Sequence, residues 1–133
     1  MVQKITPFLM FEGHAQEALD FYLGLIPGAE VKRLEHYGRG EPGQEGQVRQ
    51  AFFTLAGQSF ICMDSPVHHE FSFTPSISMF LDCEDEAEIE RLFAAFAEGG
   101  LVRMGLDNYG FSLRFAWVDD RFGVSWQLNL PAS

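Results

Sequence analysis

FSLRFAWVDDRFGVSWQLNL, residues 111–130, reads as two strands, 113–118 and 124–130, joined by a polar turn. β-Branched and aromatic side chains fill the strands while Asp119, Asp120 and Arg121 take the turn, so residue preference and apolar pattern agree on a hairpin. Gly123 supplies the left-handed backbone that closes such a connection. Residues 51–63 repeat this logic. Ala56-Gly57-Gln58-Ser59-Phe60-Ile61 aligns with Phe122-Gly123-Val124-Ser125-Trp126-Gln127, glycine with glycine, serine with serine and aromatic with aromatic. The chain therefore reads as a doubled unit.

The rest of the sequence follows the doubling. A strand over 5–11, with Pro7 near its start, leads to a helix from about His14 whose apolar stripe is Ala18, Phe21, Tyr22 and Leu25. Pro27-Gly28 stops that helix, and 29–37 is a second strand. Residues 38–46 hold four glycines, a proline and two glutamates with no apolar side chain, which predicts a mobile surface loop that could serve as a lid. A hairpin over 48–64 and a connection over 65–75 with two prolines complete the first copy. From Ser76 the order restarts: a strand over 76–82, then a helix over 84–97 striped by Ile89, Leu92, Phe93 and Phe96. Its acidic first turn suits the exposed amides and the dipole, and Gly99-Gly100 ends it. Helix positions in the copies differ by 71 (99 − 28) and final-strand positions by 66 (123 − 57), as if the glycine-rich loop lengthened the first copy.

Composition bounds the possibilities. At 133 residues one domain is expected, with module one near 1–65, a connection over 66–75 and module two over 76–133. No apolar run approaches the ~18–20 residues a membrane helix needs, and the N-terminus carries no secretory pattern, so a soluble cytoplasmic chain with no membrane partner is expected. Net charge −10 and nine scattered Lys and Arg argue against nucleic acid. Cys62 and Cys83 sit in strand-like apolar surroundings and read as buried thiols.

Two tandem copies of strand, helix and three strands resemble the vicinal oxygen chelate superfamily of glyoxalase I, the bleomycin-resistance proteins and the extradiol dioxygenases. ITPFLMFEGHAQEALDFY and FAWVDDRFGVSWQLNL resemble, more narrowly, its PhnB-like branch, whose members are often labelled demethylubiquinone methyltransferase-like. The resemblance implies an α+β fold in which two βαβββ modules form a curved mixed sheet, with a concave cavity for a small ligand and helices on the outer face. It also implies a homodimer.

Superfamily enzymes bind a divalent metal through the first and last strands of each module. Carried onto this chain, those positions are Pro7, Ile61, Ser78 and Gln127, of which only Gln127 is a credible ligand, so no family metal and no cofactor are expected. No glycine-rich strand-to-helix turn of the kind that binds a methyl-donor cofactor is present, which argues against the methyltransferase label. His68-His69-Glu70 lies between prolines and reads as a solvated connection. No nucleophile is paired with a base, so no catalytic residue is assigned.

The aromatic residues Phe52, Phe53, Phe60, Phe80, Tyr109, Phe111, Phe115, Trp117 and Trp126 fall in or beside strands, about half of them as core. Strand alternation puts Ser125 and Asn129 on the face of Gln127, turns Trp126 and Leu128 to the helices, and places Ser78 with Phe80 in the cavity. The expected pocket is Ser78, Phe80, Tyr109, Arg114, Trp117, Gln127 and Asn129, with Arg114 equally readable as a solvent-facing residue. The leading reading is a metal-free module that binds or sequesters a small organic molecule. The alternatives are a superfamily enzyme with a displaced metal at Asp64, His68, His69 or Glu70, and a dimeric interaction module whose own side chains fill the cavity.

Overall fold

The structure is a computed structural model that describes residues 1–132. It divides into two compact units, Met1–His69 and Glu70–Ser133. Unit one runs β1 (Phe8–Phe11), α1 (Ala15–Leu25), β2 (Glu30–His36), β3 (Val48–Leu55) and β4 (Gln58–Asp64). Unit two repeats this as β5 (Met79–Asp82), α2 (Glu86–Ala97), β6 (Leu101–Asp107), β7 (Arg114–Asp119) and β8 (Ser125–Leu130). The sheet orders are β1-β4-β3-β2 and β5-β8-β7-β6, each with one parallel pair, β1 with β4 and β5 with β8. The fold is α+β, two βαβββ modules.

Both first strands are shorter than the sequence predicts. Pro7 has no N–H to give the ladder and contributes only its carbonyl, which accepts from Ile61 N at 3.0 Å. In unit two the Ile77 N–H bonds back to Thr74 O in a turn, which delays β5 until Met79. The register also corrects the first-strand alignment. Phe8 faces Ile61 and Phe80 faces Gln127, so the counterpart of Ser78 is Thr6 rather than Pro7.

The buried stripe of α1 is Ala15, Ala18, Leu19 and Tyr22, rotated from the predicted one, because the two alanines let the helix lie close to the sheet and leave Phe21 and Leu25 half-buried at its flanks. In α2 the stripe is Ile89, Leu92 and Phe96, with Phe93 half-buried. Phe96 stacks on Trp126 with ring centroids 4.6 Å apart, and each such buried side chain contributes roughly 1.5–3 kcal/mol.

The helices begin by different means. Asp85 caps α2 by accepting from Glu88 N at 2.9 Å, while Glu88 reaches back to Glu84 N at 2.8 Å. His14, ahead of α1, makes no side-chain cap bond. The buried carboxylate of Asp64 serves instead: its Oδ1 accepts from Gly13 N (2.7 Å) and Ala15 N (3.0 Å), and its Oδ2 from Val48 N (3.0 Å). A second buried carboxylate, Asp120, organises the β7–β8 turn. Its oxygens accept from Phe122 N, Val124 N and Trp126 Nε1, and Gly123 takes φ 94° as the sequence predicts.

The glycine-rich loop is tied down rather than open. Tyr37 N donates to Gln47 O and Gly46 N to Tyr37 O, and Glu41 accepts from Gly38 N and Arg49. A Cβ at Gly43 would fall 2.3 Å from the Tyr37 ring, so the loop closes over that side chain. Both cysteines are buried free thiols, and burial pushes each up to about 12. No helix among the described residues is long and apolar enough to cross a membrane.

Candidate functional site

Alternation along β7 and β8 separates two faces. Ala116, Val118, Trp126 and Leu128 are buried on the α2 side; Phe115, Trp117, Ser125, Gln127 and Asn129 turn to the opposite, helix-free face. Pairing sets Trp117 across from Gln127, and Phe80 of β5 lies on the other side of Gln127. Around Phe115 the rings gather: Phe80 at 6.4 Å, and Tyr109 and Phe111 edge-on at 6.2 and 5.0 Å while stacking on each other at 6.2 Å. Phe80 is 57% exposed and Phe111 62%, so a contiguous aromatic surface faces water. Such patches are costly to leave bare and mark binding surfaces.

Polar groups interrupt this surface at fixed points. Gln127 Nε2 donates to Ser78 Oγ at 2.8 Å, Trp117 Nε1 to Ser125 Oγ at 2.8 Å, and Asn129 Nδ2 to Asp82 Oδ1 at 2.9 Å. Asn129 is 7% exposed, and among the described residues no donor reaches its Oδ1. Arg103 lies 5.9 Å over the Trp117 ring and binds Asp119 Oδ2 through Nε (2.9 Å) and Nη2 (2.7 Å). That guanidinium holds the Asp119 carboxyl below its usual range.

Six of the seven residues read from the sequence, Ser78, Phe80, Tyr109, Trp117, Gln127 and Asn129, share this face. Arg114 does not. Its Nη1 bonds Glu86 (2.8 Å) and Glu90 (3.4 Å) of α2, because a residue three places from Trp117 on a strand points the opposite way.

Module one carries a groove that sequence reasoning missed. It encloses about 440 Å³ against β2, β3 and β4, and Lys4, Thr6, Lys32, Arg33, Phe52 and Ile61 line it. Lys32 is the extra residue of a bulge in β2, between the Val31–Phe53 and Arg33–Phe52 pairs, so two consecutive cations border one groove. The signal available in the sequence was the adjacency Lys32-Arg33 beside the aromatic strand, which simple alternation assigns to opposite faces.

The metal alternatives can be followed residue by residue. Asp64 is committed to three backbone amides. His68 Nδ1 bonds Glu12 Oε1 at 2.8 Å, and His69 Nε2 lies 2.9 Å from Ser65 Oγ. Among the described residues no three His, Cys, Asp or Glu side chains gather as a ligand set.

The model of the family described as 3-demethylubiquinone-9 3-methyltransferase matches residues 3–129. The chain belongs to this family. The chain is PhnB-like and has the fold of the vicinal oxygen chelate proteins. It is similar to a solved PhnB protein from Bacillus cereus, a putative 3-demethylubiquinone-9 3-methyltransferase, at 49% identity and TM-score 0.93 over 96% of this chain and 99% of that one. Protein YjdN of Escherichia coli is 22% identical over 95% of this chain and 94% of its own length. TnmS3, an antibiotic binding protein from Streptomyces, shares the fold at 21% identity and TM-score 0.58, covering 99% of each chain.

Proposed function

We propose that this PhnB-like chain binds or sequesters a small organic molecule against the helix-free faces of its sheets, without the divalent metal of the superfamily enzymes. The observation that carries this is the exposed aromatic cluster Phe80, Tyr109, Phe111 and Phe115, set beside the polar Gln127 and Asn129. Apolar walls with a few placed polar groups are the make-up of small-molecule sites. TnmS3 shows that a fold of this kind can hold an antibiotic.

The residues at the metal positions do not fit a divalent ion. Ile61 has no donor atom, Thr6 and Ser78 offer neutral hydroxyls, and Gln127, whose Nε2 donates to Ser78, adds a single neutral amide oxygen, too few and too weak a set to hold the ion. Nor do they fit a methyl-donor cofactor of the doubly wound kind. Each sheet has a single parallel pair, and Gly13, between β1 and α1, spends its N–H on Asp64. In this reading the working unit is a cytoplasmic homodimer, for which light scattering at twice the chain mass is the check.

The test is a thermal-shift screen of flat aromatic compounds on tag-free protein, alongside elemental analysis. A ligand at 100 times its Kd adds about 2.7 kcal/mol to stability, a shift of roughly 10 °C for a chain of this length, and Phe111→Ala should reduce it. One equivalent of tightly held metal per chain, or no shift from any compound, would sink the proposal.

A further inference from the structure

The two modules act as internal controls for each other. Glu30 faces Thr54 and Arg33 faces Phe52 in module one; Leu101 faces Asp119 and Met104 faces Trp117 in module two. The same bulge follows Val31 and Val102, so Lys32 corresponds to Arg103, Phe52 to Trp117 and Thr54 to Asp119. In module two the cation over the aromatic ring is neutralised from within, since Arg103 closes on Asp119. In module one Arg33 lies 5.8 Å over Phe52, yet the place of Asp119 is taken by an uncharged threonine.

The groove of module one therefore has three cations, Lys4, Lys32 and Arg33, and no carboxylate among the residues that line it. Lys32 and Arg33 do meet Glu30 and Glu35, each two residues away on the same strand. Both cations are more than half exposed, and exposed pairs of this kind are worth little and yield readily to a better-placed anion. Lys4 pairs with no carboxylate among the described residues. In a chain of net charge −10, whose long-range field repels anions, three positive side chains around one apolar groove are a local recognition device.

Resting on the small-molecule reading above, we infer that module one's groove recognises an organic anion. The flat apolar body lies on Phe52 and Ile61, and a carboxylate, sulfonate or phosphonate meets Lys4, Lys32 and Arg33. The cavity, about 440 Å³, is within the range of small-ligand sites.

Two dyes that differ by one charge test this: 1-anilinonaphthalene-8-sulfonate and its neutral parent N-phenyl-1-naphthylamine, titrated by fluorescence against wild type, Thr54→Asp, Thr54→Asn and Lys4→Gln. Thr54→Asp installs the carboxylate that module two already has. The expected result is about a tenfold loss of sulfonate affinity in Thr54→Asp, a smaller loss in Lys4→Gln and little change in Thr54→Asn, with the neutral dye bound alike by all four. Equal binding of the sulfonate by all four proteins overturns anion recognition while leaving a small-molecule site standing, as dye seated on module two's aromatic rings would show. Failure of wild type to bind either dye removes both readings.

Discussion

Replacing Asp64 by alanine should destabilise module one more than any exposed substitution. The carboxylate is 1% exposed and accepts from three backbone amides that join the β1–α1 turn to the first residue of β3. Gly13 is partly open and can recover water, but Ala15 and Val48 are each 0% exposed and would be left with stranded N–H groups. At roughly 1–3 kcal/mol for each buried donor left without a partner, the two together cost about 2–6 kcal/mol. That is a large share of the ~5–15 kcal/mol that holds a domain folded. The Tyr37 hydroxyl bond to Asp64 O survives the change, so the loss isolates the carboxylate. Urea unfolding followed by far-ultraviolet circular dichroism measures it, with amide exchange at Ala15 and Val48 as the local reading. A loss below about 1 kcal/mol, with both amides still protected, would show that the clasp does not hold this corner together.

Two further outcomes are expected. Arg103 depresses the Asp119 carboxyl in the folded state, so its stabilisation is complete above the ordinary carboxylate range and is lost as pH falls through the lowered value. The gap in thermal midpoint between wild type and Asp119→Asn should therefore close as pH drops below about 4, and a gap independent of pH would refute the assignment. The thiols of Cys62 and Cys83, raised from 9.0 to about 12, should not react with a disulfide reagent at pH 8 until the protein unfolds. Their raised values mean that the stability they support is present below pH 9 and declines as pH rises toward 12. Rapid labelling of the native protein would count against their burial.

What was legible in the sequence was local or periodic. The β3, β4 and β8 strands fall within a residue of their expected places because alternation and turn residues lie side by side in the chain. The same alternation placed Gln127 and Asn129 together and, applied consistently from Trp117, also excludes Arg114. What stayed hidden was carried by distant partners or by broken periodicity. Asp64 starts a helix 49 residues away, which no local cap pattern can show. Leu19 replaced Phe21 in the buried stripe because the depth at which α1 sits on the sheet depends on tertiary packing. Lys32 and Arg33 share a groove only because of a bulge, which no two-residue rhythm announces.

That bulge has a bearing on how the chain can change over evolutionary time. Equivalent residues of the two halves are 71 apart at Val31 and Val102 (102 − 31) but 65 apart at Phe52 and Trp117 (117 − 52), and most of that difference lies in the link that joins the two strands, eleven residues between His36 and Val48 against seven between Asp107 and Phe115. A kink at one fixed place acts as a ratchet tooth: the strands cannot slide past each other to accommodate an insertion, so added residues must loop outward. Length can thus be gained or lost only within 38–45, between the backbone bonds of Tyr37 with Gly46 and Gln47, and only where the cover over the Tyr37 ring at Gly43 is kept. Relatives should differ most in length there, and grafts of foreign peptide should be accepted there first.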